Sequence, residues 1–329
     1  MMTRQELIAR PEEKLSKACA ALIGVAVGDS FGDASRKPEN QLRYGITTDF
    51  NKGASWSTDD TEFCLLVAKE LIECGGNLTT EVVVDHWMRH VATLDELKRG
   101  GASEHEASIN LRRGLRPPLS GRFNTFHNSD GAAMRMTPVG VLCAGDPERA
   151  KEMARIDAEI SHDQDGLWGA QAVAVAVSLA MVDAEIDEIL DAALHTFPEG
   201  SWSRHNMELA FSIIERQNYD FASSWMKLHD ALWTSSHATV AEAIVSAFSV
   251  LKLIREKDFR TMTIFAGNFG RDADTIGAVV GGIMGAKCGL AAIPEHWVNK
   301  VRRPTGTCLP FAAGVDILDY GEKLAALIV

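Results

Sequence analysis

Two short runs of oxygen-bearing side chains dominate the chemistry open to this chain. Thr58-Asp59-Asp60-Thr61 and Asp272-Ala273-Asp274-Thr275 each stand directly before a stretch with helical apolar spacing. Ser55-Trp56-Ser57 leads into the first and Gly270-Arg271 into the second. A helix start uses Ser, Thr and Asp to accept hydrogen bonds from its free N–H groups, so each run alone reads as an N-cap. A cap needs only one acid, however, and two doubled acids would repel if they met without a cation. Four carboxylates and the hydroxyls of Thr58 and Thr275, with no His or Cys among them, are hard oxygen donors. They suit magnesium or manganese rather than zinc. An aspartyl-phosphate reading of the second run needs a buried strand before it, and Gly267-Asn268-Phe269-Gly270 is not one.

Helices must position these runs. Leu15, Ala18, Cys19, Leu22 and Ile23 recur at helical spacing, and the pattern predicts an end at Gly28-Asp29. Phe63, Leu66, Val67, Leu71 and Cys74 form one face of a helix stopped by Gly75-Gly76. Thr79 or Thr80 caps a helix through Val91, and Asp146-Pro147-Glu148 opens one toward Ile160. Further helices fit 169–183, 186–195, 206–216, 240–257 and 275–288. In the last of these, Gly277, Gly281, Gly285 and Gly289 recur every four residues, a stripe that permits close helix–helix approach. The stretch 94–135, rich in Gly, Arg, Asn and Ser, reads as a long binding loop. Alternating strand patterns are nearly absent, so the expectation is a single all-α domain over residues 1–329.

Composition removes other classes. With 46% apolar and 24% charged residues the chain is an ordinary globular one. Thirty-three basic against 45 acidic residues give a formal charge of −12, which argues against nucleic-acid binding. No C-x-x-C pair occurs among the six cysteines, which read as buried reduced thiols. The segment Met1–Glu13 is polar, and the apolar windows 167–182 and 276–293 fall short of a membrane span, so a cytoplasmic protein is expected.

The motifs together resemble those of the ADP-ribosylglycohydrolase family. Gly24-Val25-Ala26-Val27-Gly28-Asp29-Ser30-Phe31-Gly32 resembles its G-x-x-x-G-D-A-x-G opening, and Thr58-Asp59-Asp60-Thr61 matches its T-D-D-T. Asp130-Gly131-Ala132-Ala133-Met134-Arg135 is similar to its N-G-x-x-M-R segment, Ser161-His162 to its T/S-H, and Asp272-Ala273-Asp274-Thr275 to its D-x-D-T/S. Five motifs in family order span residues 24–277. The family includes ADP-ribosylarginine hydrolases, dinitrogenase-reductase-activating glycohydrolases and J-type lens crystallins.

The resemblance implies an all-α fold whose cleft holds two magnesium ions, or manganese. By motif match, Thr58, Asp59, Asp60, Asp272, Asp274 and Thr275 would be the metal ligands. The Asn128–Arg135 loop, with Asn128, Ser129 and Gly131, would hold pyrophosphate and ribose largely through backbone N–H groups, with His162 beside the ligand. Three departures bear on the substrate. Arg36 stands near the place of a common family glutamate, Asp130 replaces asparagine, and Arg271 replaces a glycine. Arg271 would either grip a substrate phosphate or carboxylate or neutralise the adjacent carboxylates.

Such a site would cleave a glycosidic bond at C1 through an oxocarbenium-like state, with Asp59 or Asp60 moving the proton. Three functions are compatible: removing ADP-ribose from a protein side chain, the same chemistry on a small ribosylated or ADP-ribosylated compound, or a non-catalytic crystallin-like role. All six ligand positions keep oxygen side chains, which favours an enzyme.

Overall fold

The computed structural model describes residues 1–50, 57–254 and 257–329. Ser55 and Trp56 lie outside the described residues, as do positions 255 and 256 of the expected 240–257 helix. The described residues form helices and turns with no strand; an isolated antiparallel bridge pairs Ser129 with Thr239.

The central element is the helix Pro11–Arg36. Proline in its first turn, Glu12 and Glu13 beside it and Arg36 in the last turn all agree with helix polarity. It does not end at Gly28-Asp29 as the sequence pattern predicts. Gly24, Gly28 and Gly32 are used instead for packing, and the helix stops where Lys37 turns extended before Pro38. By length and composition this helix could cross a membrane, but 89% of its apolar window is buried inside the fold.

Its main partner is the helix Ala273–Cys288. Gly28 meets Gly277, Gly24 meets Gly281, and Ala20 meets Gly285, so the two helices run antiparallel with their backbones in contact. The glycine stripe therefore does what its spacing predicts, except at Gly289. That residue caps the helix at φ 75°, a conformation that favours glycine. The antiparallel register continues to Gly32, which faces the carbonyl of Ala273. It thereby sets the acidic start of one helix beside the end of the other.

The helix Asp59–Glu73 follows Thr58 as its N-cap, and Thr80–His90 and Pro147–Ala158 begin after Thr79 and Asp146 as expected. Other helices shift at their ends: Asp165–Ala180, Ile186–Thr196, Trp202–Arg216 and Ala243–Leu253. The 94–135 stretch is not one loop. It contains the helices Ala102–Arg112 and Leu119–Arg122, because Ala107 and Leu111, four apart, are buried in the core.

Candidate active site

Asp29 organises the first acidic run from inside the long helix. Its Oδ2 accepts from Thr58 N (2.9 Å), Thr61 N (3.2 Å) and the Thr61 hydroxyl, and its Oδ1 accepts from Thr58 Oγ1 (2.8 Å). It thus serves two of the backbone donors that a helix start leaves open. Asp29, Asp60 and Asp274, all buried, offer ligand atoms within 4.8 Å of one another. Asp60 Oδ1 is buried with no hydrogen-bond partner. Burial first, then the neighbouring carboxylates, holds the Asp60 and Asp274 carboxyls well above the usual range. Converging buried carboxylates with an orphaned oxygen fit a hard divalent cation.

Asp272 makes no side-chain cap to its helix, which removes the simple cap reading. It faces Arg36 instead: Nη1 lies 2.9 Å from Asp272 Oδ1 and 2.5 Å from Asp274 Oδ1. Burial opposes the guanidinium charge, but Asp274 and Asp272 outweigh it and raise its pKa. Behind Arg36, the buried Asp33 binds Lys37 (2.8 Å), Arg99 and Arg36 Nη2 (3.7 Å).

A cleft of about 410 Å³ opens over this cluster. Thr58, Asp59, Asp60, Asp272, Asp274 and Thr275 all line it, so the two runs do meet. Asp59 is half-buried and its carboxyl is pushed up to about 8, by burial first and then by Glu104 and Asp29. Asp130 also lines the cleft, with Oδ2 buried and unpartnered and its pKa raised by burial and then by Asp272.

The Asn128–Arg135 segment is held from within. Arg135, fully buried, donates to Asp157 Oδ1 (2.7 Å), Gly131 O (2.9 Å) and Ser161 Oγ (3.0 Å). A Cβ on Gly131 would lie 2.0 Å from Glu104 Oε1, so the Glu104 carboxylate uses the space that glycine leaves there. The amides of Ser129 and Asp130 are already committed, to Phe126 O and Ala238 O, both at 2.9 Å. The expected cradle of free backbone N–H groups therefore lacks those two. Ser129 and Gly131 line the cleft; Asn128 does not, and its carbonyl accepts from Val240 N (3.2 Å).

His162 is buried and does not line the cleft. It stands one layer back, in a chain of hydrogen bonds whose direction is set by its acceptor end. Glu104 Oε2 accepts from Ser103 Oγ (2.8 Å), so Ser103 must accept from Ser129 Oγ (2.8 Å). Ser129 then accepts from His162 Nε2 (2.9 Å), leaving Nδ1 to accept from Ser161 Oγ (2.7 Å). Burial, reinforced by Arg135, holds His162 well below its ordinary pKa, as a neutral ring in this arrangement requires.

Among the described residues Arg271 pairs with neither Asp272 nor Asp274, so it is not their neutralising partner. Its guanidinium turns to Glu242, with Nη2 3.0 Å from Oε2, donates to Thr234 O (2.6 Å) and lies over the Trp233 ring. The backbone at Arg271 has φ 59°, and the side chain does not line the main cleft. The position against Asp272 and Asp274 belongs to Arg36. Asp29 and Glu104 were missed as site residues. A lone acid in an apolar helix was the available signal for Asp29, whereas Glu104 carried none.

The model of the ADP-ribosylglycohydrolase family matches residues 10–328. A protein of Archaeoglobus fulgidus, named only as uncharacterized, is 31% identical over 85% of this chain and 90% of its own. ADP-ribosylarginine hydrolase Tri1 of Pseudomonas putida is 23% identical, covering 88% of this chain and 76% of its own. Among solved structures, an ADP-ribosylglycohydrolase-related protein complex matches with a TM-score of 0.65 at 20% identity. It covers 96% of this chain and 98% of its own, a likeness of fold.

Proposed function

The chain belongs to the ADP-ribosylglycohydrolase family, and we propose that it is a divalent-metal-dependent hydrolase releasing ADP-ribose from a modified protein side chain. The observation that carries this reading is the meeting of Asp29, Asp60 and Asp274 within 4.8 Å under a cleft lined by both acidic runs. The protein-side-chain substrate is supported by the relative named ADP-ribosylarginine hydrolase.

Asp60 and Asp274 would hold the cation, with Asp29, Thr58 and Thr275 around it. When bound, a magnesium or manganese ion orients ribose hydroxyls and makes water more acidic. The protein's own groups do the rest. Both Asp59 and Asp60 line the cleft, but Asp60 is buried in the carboxylate cluster and Asp59 is more exposed and outside it. Asp59 is therefore the better placed of the two to move a proton at the glycosidic bond. Ser129 and Gly131 line the wall, with Ser129 fixed by His162 and Ser103. Arg99, tied to Asp33 at the cleft edge, suits a phosphate of the ADP portion. All six cysteines are unpaired, which supports the reducing setting of the cytoplasm.

Product analysis tests this directly. The protein is incubated with ADP-ribosylarginine protein, ADP-ribosylserine peptide, ADP-ribose esters and simple ribosides, with magnesium, manganese or a chelator. Free ADP-ribose from a protein substrate, absent with chelator, is expected. Turnover of simple ribosides alone would move the reading to a small-molecule hydrolase, and no turnover to a binding role.

A further inference from the structure

We propose that Arg36 is a resident cation of the acidic cleft, its guanidinium taking one of the two positive positions so that this chain binds a single divalent ion. The inference rests on the reading that the cleft binds a divalent ion at all.

Three observations carry it. Arg36 Nη1 bridges Asp272 Oδ1 (2.9 Å) and Asp274 Oδ1 (2.5 Å), contacts that a second metal ion would need for itself. A divalent ion placed between those same two oxygens would be crowded and repelled by the guanidinium nitrogen that already bridges them. The side chain is also tethered. Arg36 ends its helix, where the helix dipole favours a cation, and the buried Asp33 one turn earlier lies 3.7 Å from Nη2. Finally, what remains fits one ion. Asp29, Asp60 and Asp274 converge, and among them Asp60 Oδ1 is the buried oxygen with no hydrogen-bond partner. A guanidinium plus one divalent ion supplies three of the four positive charges that Asp29, Asp60, Asp272 and Asp274 would need if ionised.

Counting bound manganese tests the proposal without any turnover. The full chain is titrated with Mn²⁺ alone, free Mn²⁺ is read by its electron paramagnetic resonance signal, and folding is checked by circular dichroism. The wild type should bind one equivalent. Arg36→Gln, which removes the charge, should bind two. Arg36→Lys, which keeps a positive charge beside the same carboxylates, should bind one. Two equivalents in the wild type would overturn the proposal while leaving metal dependence intact, and that count needs no variant to be decisive. One equivalent in a folded Arg36→Gln would overturn it as well. No binding by any of the three proteins would overturn both this inference and the metal-dependent reading.

Discussion

Gly28 packs so closely on Gly277 that a Cβ on Gly28 would lie 1.9 Å from the Gly277 carbonyl oxygen. The contact is backbone against backbone, so no side-chain rotation can relieve it. Asp29 follows Gly28 directly, and Asp274 lies one turn before Gly277. The distance between two carboxylates of the cluster is therefore set by two residues that have no side chain. Gly28→Ala should destabilise the fold by about 3 kcal/mol or more, the upper end of the overpacking range. Its divalent affinity should fall with stability. Urea unfolding measures the first effect, and a variant as stable as wild type would mean that the helices are not in contact as described.

His162 is expected to act through Ser129 and not on the ligand. His162→Ala should lose about 1–3 kcal/mol of stability by removing the acceptor of the buried Ser161 hydroxyl and the donor to Ser129. It should also weaken substrate binding while metal affinity stays unchanged, because His162 contacts the hydroxyls of Ser129 and Ser161 and no carboxylate of the cluster. Calorimetric titration of metal into the variant checks this; loss of metal binding would place His162 closer to the ions than its hydrogen bonds indicate.

Glu70 gives a pH signature away from the cleft. Both of its carboxyl oxygens are buried, and its carboxyl stands against that of Asp157 with no other hydrogen-bond partner among the described residues. Burial, then Asp157, holds its pKa well above the ordinary 4.5, with Arg135 acting the other way. A carboxyl with a raised folded pKa contributes stability that is full below its unfolded pKa and is lost as pH rises through the folded value. Glu70→Gln removes this loss, so the variant should gain on wild type steadily from about pH 4.5 upward. Thermal unfolding across pH 4.5–8 reads the difference; a constant gap would mean that Glu70 is ionised in the folded protein.

Arg271→Ala separates a structural from a substrate role. Glu242 is buried and would lose its guanidinium partner, at a cost of about 1.5–3 kcal/mol for charged hydrogen bonds. Substrate and metal affinity should be unchanged in the folded variant. A selective loss of substrate binding would restore the recognition role that the sequence position suggested.

The sequence carried the helical class, both acidic runs and the glycine stripe, but not that the runs meet. Doubled acids at two helix starts and a glycine every fourth residue are local patterns with direct physical meaning. The end of the long helix was misread because Gly28 looks the same in sequence whether it stops a helix or packs one. Likewise Ala107 and Leu111 are too few apolar positions to reveal a helix inside a stretch rich in Gly, Arg and Ser. The pairings of the two arginines have a reason invisible to spacing. Arg271 neighbours Asp272 in the chain but finds Glu242, while Arg36 lies 236 residues from Asp272 and pairs with it across the helix crossing. Glu104 reaches the cleft with its carboxylate against two glycines, Gly101 and Gly131.

The most direct measurement is the rate of ADP-ribose release from an ADP-ribosylated protein by wild type and by Asp60→Asn, with saturating magnesium or manganese. Asp60 brings the one orphaned buried oxygen to the Asp29, Asp60 and Asp274 cluster, and asparagine keeps its shape while removing its charge. The account predicts release by the wild type and a loss of at least about 100-fold in the folded variant, the scale of a lost acid–base or metal-holding group. Release by Asp60→Asn at the wild-type rate would contradict it.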